Sequence, residues 1–480
     1  MFLLGVLSIF QVAFLPGYLV IRLLKIADRL LKTLILSFSV SLVVNHYLVV
    51  LLTAIGIYNR TAIFSIFVGE MAVFVWLTRH HLNMPLLHYY DLLKGKLGLS
   101  WDDLKSCTAI IKYFFVAVSL TYFTYNFIGN IGGVHDGVDA LLSWNRWAID
   151  WYNGKFPNLT WHYPQLLPSN WSISYIFIGT YKIQFFATAI IQLFPLFSLL
   201  ALLDLWNRKK EAAFLYAIPV LGIIYIIFLF GIINQGFADI PVAYMSFISI
   251  YTLLNINIDD TRSKIYKHLF IGLFCCAGAA LTKQAGLYLL SIYPLFWFSI
   301  LYTNKINKLM HAIYIIVCSY ILLACLVAPW YLYVTDRINK GLDASEISYV
   351  TNDIFKGADI ITRYNNSINT IVNDSVTNME LFLIKNNINQ IDNIKKILVI
   401  CLIIIAYLLI CGVFNGISRQ LLFLLIVPYY ILWSLYFSYD IRNIALILPV
   451  IGLVVGYGIN VNVKIISKLL FKDANKSMVI

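Results

Sequence analysis

The sequence is poor in charge. Lys, Arg, Asp and Glu make up 12% of its 480 residues, against 61% hydrophobic residues. A soluble globular chain is about half apolar and about a quarter charged, so a soluble fold is excluded. Acids are scarcer than bases, 23 against 35, which leaves a formal net charge of +12. In a soluble protein that excess would point to nucleic acid. Here the basic residues gather in short stretches between apolar runs, as they do in the cytoplasmic loops of membrane proteins. The expected partner is the membrane, and no nucleic acid.

Cysteine is sparse as well. Cys107, Cys275, Cys276, Cys318, Cys325, Cys401 and Cys411 fall nearly all within apolar runs. None stands in a long polar loop, so neither a disulfide framework nor a spaced metal cluster is expected. They read as small buried hydrophobes. No glycine-rich phosphate-binding loop is found in the sequence. No His, Cys, Asp and Glu cluster has metal-ligand spacing; the sequence is compatible with a divalent cation but nothing requires one. No basic residue precedes the first apolar run, so it lacks the positive start of a secretory signal. Arg22, Lys25, Arg29 and Lys32 come after it instead, and the run is expected to be a retained span that starts outside.

What the chain does have is long apolar runs. They cover roughly 2–21, 33–57, 61–77, 109–128, 179–205, 212–233, 238–254, 268–282, 286–302, 311–333, 396–413, 420–437 and 443–461, about thirteen by the length that crosses ~30 Å of hydrocarbon. The expected fold is an all-α polytopic membrane protein. The basic stretches are RLLKIADRLLK (22–32), the 78–108 segment with Arg79, Lys94, Lys96 and Lys105, NRKKE (207–211), TRSKIYK (261–267), TNKINK (303–308), Arg419, and the tail with Lys464, Lys468, Lys472 and Lys476. They occupy alternate loops, hence one side, the cytoplasmic one. The other side then receives YNR (58–60), a loop at 129–178, NQGFAD (234–239), TKQAG (282–286), a loop at 334–395 and SYDIRN (438–443). The organisation expected is three parts: extra spans and a cytoplasmic loop over 1–108, a transmembrane module over 109–461, and a basic tail over 462–480. The long, Asn-rich 334–395 loop reads as a small subdomain or a lid.

One stretch stands apart from the apolar pattern: GGVHDGVDALLSWNRWAIDWYNGKFPNLTWHYPQLLPSNW, residues 132–171. It holds Asp136, Asp139 and Asp150, Arg146, His135 and His162, and a dense set of Trp and Tyr. Leu141, Trp144, Trp147 and Trp151 recur at spacings of three to four, which predicts a short amphipathic helix. Such a helix, with its tryptophans on one face, is expected to lie in the membrane interface, where they act as anchors or also shape a groove. Asp136 and Asp139 are three apart and share a face if the turn is helical. Near a low-dielectric boundary and a second acid, a carboxyl is suited to take a proton from a hydroxyl or amine. The plainer reading is a capping or solvated acid.

Three later elements bear on the same side. Asp239 stands before Pro241 in GFADIPVAYM (236–245), a site residue or a span boundary. Lys283 stands in ALTKQAGLYLL (280–290), between two apolar runs, where a cation must be paired or face water. Arg442 stands in SYDIRNIALILP (438–449), where it binds an anionic group or snorkels at a span end.

VDALLSWNRWAIDWYNGKFP…HYPQLLP resembles the first external loop of the GT-C superfamily of membrane glycosyltransferases, the protein O-mannosyltransferase-like, aminoarabinose-transferase-like or family-39-like enzymes. The likeness runs over about 109–460. It puts the family's catalytic acid on Asp139, the aromatic on Trp144, the small residue on Ala148, the Gly on Gly154 and the Tyr-Pro on Tyr163 and Pro164. Ala140 stands where a second acid is common and Gln165 where a second Pro is common. Asp136 is the nearby acid, and the choice between Asp136 and Asp139 stays open. The resemblance implies a polyprenyl-phosphate sugar as donor, its phosphate held by Lys283, Arg442 and Arg146. It implies a groove lined by Trp144, His162, Tyr163 and Asp239, and inverting transfer to a glycan, lipid or protein acceptor outside a bacterial plasma membrane. The alternatives are a transporter or flippase of lipid-linked sugars, and a non-catalytic membrane subunit of the same fold.

Overall fold

A computed structural model describes residues 1–26, 29–82, 107–233, 235–256, 260–303, 309–343, 358–388, 393–437 and 440–476. Lys94, Lys96 and Lys105, residues 304–308 and 344–357, and Ser438 and Tyr439 lie outside the described residues. The described chain is helical, with no strand among these residues. The helices are α1 (Phe2–Ala13), α2 (Leu15–Leu23), α3 (Leu30–Ala54), α4 (Arg60–Leu82), α5 (Cys107–Asn130), α6 (Asn145–Tyr152), α7 (Leu166–Ile178), α8 (Phe185–Lys209) and α9 (Ala212–Leu229). They continue as α10 (Asp239–Leu254), α11 (Arg262–Thr282), α12 (Leu287–Thr303), α13 (Leu309–Asn339), α14 (Ile360–Lys385), α15 (Ile394–Gly412), α16 (Gly416–Leu421), α17 (Val427–Tyr436) and α18 (Leu448–Lys476).

Among the described residues, ten helical segments are long and apolar enough to cross a membrane. The chain is an integral, multi-pass membrane protein. The three remaining apolar runs also form helices: α5, α10 with 16 residues and α12 with 17. The chain divides into two compact units. The first takes in Met1–Trp101, Phe123–Ala201 and Ile232–Lys356, and the second Asp102–Tyr122, Leu202–Gly231 and Gly357–Ile480.

In the first unit the N-terminal span breaks at Phe14, between α1 and α2. Pro16 has no N–H to return to the Val12 carbonyl, so the break follows from sequence. An unsatisfied carbonyl in hydrocarbon costs several kcal/mol. Asn45 of α3 answers it: its side-chain amide donates to the carbonyls of Gln11 and Val12 at 3.3 and 3.4 Å. One turn on, the Gly17 N–H donates to Ser41 Oγ at 2.8 Å. A methyl group at Gly17 would overlap the Ser37 carbonyl, so α2 and α3 meet this closely only because that position is glycine.

Two expectations change in this unit. Lys32, counted among the loop charges, is only 1% exposed. It lies inside α3 with its Nζ 3.4 Å from His268 Nε2 of α11. The stretch 129–178, expected as an external loop, ends in α7, a helix buried at every position. Its 13 residues span about 20 Å, too short to cross the bilayer, which is why hydropathy reads them as loop. α7 packs on α1, α3 and α6.

In the second unit α9 packs on α18, and α14 on α9 and α15. The 334–395 segment thus contains a 26-residue helix, whose first turn Asp359 caps by accepting from the Thr362 N–H. Asn378 of α14 accepts from the Gly231 N–H at 2.8 Å and donates to the Phe228 carbonyl at 3.0 Å. One amide side chain thereby satisfies both a donor and an acceptor where α9 ends.

Candidate functional site

The polar residues of the first unit converge at one end, and the convergence begins with backbone contact. After α5 the chain turns through Gly132 and Gly133 to His135, whose N–H donates to Gln184 Oε1 at 3.0 Å. Asp136 comes next, exposed, then Asp139, half-buried, at the head of a π-helical turn (Ala140–Trp144) that runs into α6. This segment lies directly on the Gln235–Phe237 turn. A methyl group at Gly137 would stand 2.9 Å from the Phe237 ring and 3.0 Å from the Gln235 carbonyl oxygen. One at Gly236, whose φ is +84°, would stand 2.7 Å from His135 Nδ1 and 3.0 Å from Ala140 Cβ. Two glycines let the strand of chain carrying the aspartates touch the turn that leads into α10.

Asp239 opens α10 and is buried. Its Oδ1 receives Lys283 Nζ at 2.5 Å, with the side chains 3% and 10% exposed. Lys283 is in extended conformation between the end of α11 and a short 3-10 turn. Sequence marks the two residues separately, one for a groove and one for phosphate. The structure joins them into one buried ion pair, so Lys283 meets any anion with its charge already shared.

The next residue carries the network onward. Gln284 Nε2 donates to the Trp161 carbonyl at 3.0 Å. Trp161 belongs to a turn in which Leu159, Trp161 and His162 all have left-handed backbone, with φ of 53°, 48° and 66°. Each such residue costs about 1–3 kcal/mol and persists only where its surroundings hold it. Three side chains do so. Arg146 of α6 donates to the Asn158 and Leu159 carbonyls at 3.0 and 3.1 Å. Asp343, just past α13, accepts from the Thr160 N–H at 2.9 Å, the Thr160 hydroxyl at 3.3 Å and the Trp161 N–H at 3.2 Å. Gln284 is the third. Neither Asp343 nor Gln284 is visible as a site residue in the sequence, because their partners lie more than a hundred residues away.

The tryptophan stripe is helical, as its spacing predicts, but it does not face a membrane. Trp144, Trp147 and Trp151 are buried while Leu141 is exposed. Trp151 Nε1 donates to Gln165 Oε1 at 3.3 Å, and Trp144 meets Trp147 and Tyr163 edge to face at 5.1 and 5.4 Å. The apolar face of α6 docks on α7, an element that hydropathy alone does not announce. Trp144 and Tyr163 therefore form a wall of the unit, with His162, half-buried, next to them.

Burial governs the titration of this end. It pushes the His135 imidazole down to about 4; the ring lies 4.3 Å from Trp171, and both its nitrogens are buried without a hydrogen-bond partner. Burial also lowers His162, against the pull of the Asp343 carboxylate. It raises Asp150, against Arg146, the Asn158 backbone and Lys155. Among the described residues no group of three or more His, Cys, Asp or Glu is gathered to hold a metal ion.

Arg442 belongs to the second unit. It pairs with its own neighbour: Nε and a terminal guanidinium nitrogen both reach Asp440 Oδ2 at 2.6 Å. The Asp440 carboxylate also caps the following 3-10 turn by accepting from the Arg442 N–H at 2.9 Å. Asp374 of α14 lies beside them, accepting from the Ile441 N–H at 3.4 Å. Burial raises its carboxyl, as does Asp440, while Arg442 lowers it.

Comparison of the chain with protein-family models, curated proteins and solved structures returns no match to any of them.

Proposed function

We propose that this chain is a membrane glycosyltransferase of the GT-C kind, moving a sugar from a polyprenyl-phosphate carrier to a glycan, lipid or protein acceptor outside a bacterial plasma membrane. The observation that supports it is the contact between the Asp136–Asp139 segment and the turn leading into the Asp239–Lys283 pair. An acid at a helix start, a clamped aromatic turn and cationic side chains then share one end of a membrane-embedded unit.

In this reading Asp139, half-buried, takes the proton of the acceptor, with Asp136 as the other candidate base. The acceptor oxygen or nitrogen attacks the anomeric carbon, the bond to the phosphate oxygen breaks, and configuration inverts. The departing phosphate gains negative charge, so donors fixed beside it stabilise the transition state most. Arg146, bound to the Asn158 and Leu159 carbonyls, supplies one cation, and Lys283 contributes through its pair with Asp239. Trp144, His162 and Tyr163 form the wall against the sugar.

The test uses the full chain reconstituted in liposomes with a panel of labelled polyprenyl-phosphate sugars. At least one of Asp139→Asn and Asp136→Asn should keep its folding and lose about 10²–10⁴-fold in transfer, the usual weight of a general base. Full transfer by both variants ends the reading. A second reading, translocation of a lipid-linked sugar, draws on the buried Lys32–His268 contact, since ionisable groups inside spans often mark transport paths. Movement of the labelled donor across the liposome without transfer would favour it.

A further inference from the structure

The opposite end of α11 carries a separate feature. Lys283 comes just after the last residue of this helix, whereas Arg262, Ser263 and Lys267 stand in its first two turns, about 24–32 Å away at 1.5 Å per residue. α11 and α13 both start at this end: the Tyr266 hydroxyl lies 3.1 Å from His311 Nε2, each near the start of its own helix. Two hollows open there. One, of about 480 Å³, lies between α11 and Leu24, the residue just after α2, and is lined by Ser263 and Lys267. The other, of about 320 Å³, runs between α11 and α13 past Leu269, Leu273, Cys318 and Leu322. Tyr266 and Phe270 line both hollows, so they form an aromatic ridge with an apolar groove on each side.

The flanks of these grooves are apolar and exposed. Phe270 is 42% exposed, Tyr314 65% and Ile321 59%, on helices that satisfy the length and apolarity of spans. In a bilayer such surface is covered by acyl chains. The mouth differs from the flanks. Lys267 lines it, among the described residues no carboxylate lines either hollow, and the nearby Asp260 is engaged with Lys264 at 2.8 Å. Ser263 and the first amides of α11 add donors where the helix dipole favours an anion.

We infer that this ridge holds a two-tailed anionic phospholipid, one acyl chain in each groove, with its phosphate at the Lys267–Ser263 mouth and its glycerol backbone near the Tyr266–His311 hydrogen bond. Two grooves separated by one ridge suit a diacyl lipid better than a single polyprenyl chain. The cation at a span end selects the anionic headgroup, since a long basic side chain there extends to the surface and attracts an anionic lipid. The inference is independent of any sugar-transfer activity.

Native mass spectrometry of the full chain released from detergent tests it, with phosphatidylglycerol and phosphatidylcholine of identical acyl chains as probes. The wild-type chain is expected to retain phosphatidylglycerol preferentially. Lys267→Ala should weaken that retention about fivefold, the effect of one surface basic residue, and leave phosphatidylcholine unchanged. Cys318→Trp, which fills the second groove from its exposed side, should weaken both lipids. Thermal unfolding of each variant confirms that it is folded. Equal retention of the two lipids by the wild type, or unaltered retention in Lys267→Ala, overturns the anionic selection. Unaltered retention in Cys318→Trp overturns the two-groove seat.

Discussion

Lys283 with Asp239 and Arg442 with Asp440 are both cation–carboxylate pairs, and they do opposite things. The first joins residues 44 apart, with side chains 10% and 3% exposed. The second joins residues two apart, with side chains 30% and 19% exposed. A buried pair gains little over an apolar pair of the same shape, because removing two charges from water is costly; breaking it leaves a lone buried charge. A local, partly exposed pair loses little when broken, since water replaces the partner. The Lys283 pair therefore fixes where α10 begins relative to the end of α11. The Arg442 pair shapes its own turn, beside Asp374 of α14. Two cation–carboxylate pairs thus differ in what depends on them.

The largest expected effect sharpens this contrast. Lys283→Met leaves the Asp239 carboxylate buried without its cation and should cost about 3–5 kcal/mol, seen as a marked fall in thermal unfolding temperature of the purified protein. Lys283→Met combined with Asp239→Leu removes both charges and should recover most of the loss. A single variant as stable as the parent would mean that the pair does not hold the two helices.

Asp343 offers an intermediate case. It too is a buried carboxylate acting over a long separation, 183 residues, and it accepts from neutral groups, two backbone N–H groups and a hydroxyl. Asp343→Asn keeps the shape and turns one acceptor oxygen into a donor facing donors. Leaving buried donors unmatched costs about 1–3 kcal/mol. Because Leu159, Trp161 and His162 are held in left-handed backbone, the loss should appear locally. Hydrogen exchange of the 158–163 amides should rise while α3 and α11 stay protected. Uniform exchange across the unit would assign Asp343 to global stability instead.

These contrasts also show how far the sequence can be read. Each of the apolar runs lies largely in helix, and the spacing of Trp144, Trp147 and Trp151 correctly gives a helix. Hydropathy records the period of a face and not what covers it, so the burial of that face by α7 is out of its reach. α7 itself is too short for the span criterion. Lys32 reads as a loop residue because three other bases precede it in the same stretch; only the packing of α3 on α11 shows it buried against His268. At the candidate site, Asp239, Lys283, Arg146 and His162 all stand out by residue type. The side chains that hold the 159–162 turn beside them do not, since Asp343 and Gln284 look like ordinary loop polar residues until the chain folds. Arg146 reads as a phosphate ligand from its charge, and its two carbonyl contacts give it a structural task as well.

The smallest expected effect lies in the second unit. Arg442→Gln removes the guanidinium but leaves Asp440 able to accept from the backbone N–H of residue 442, so the cap of the 3-10 turn persists. With the pair partly exposed, the loss should be at most about 1 kcal/mol, a shift in unfolding temperature close to the error of the measurement. Asp374 supplies the finer readout. Arg442 lowers its carboxyl while burial and Asp440 raise it, so without the guanidinium its titration should move up in pH, followed by isotope-edited infrared difference spectra of labelled aspartate. An unfolding loss as large as that of Lys283→Met would erase the distinction between the two pairs and give Arg442 a role in holding its unit together.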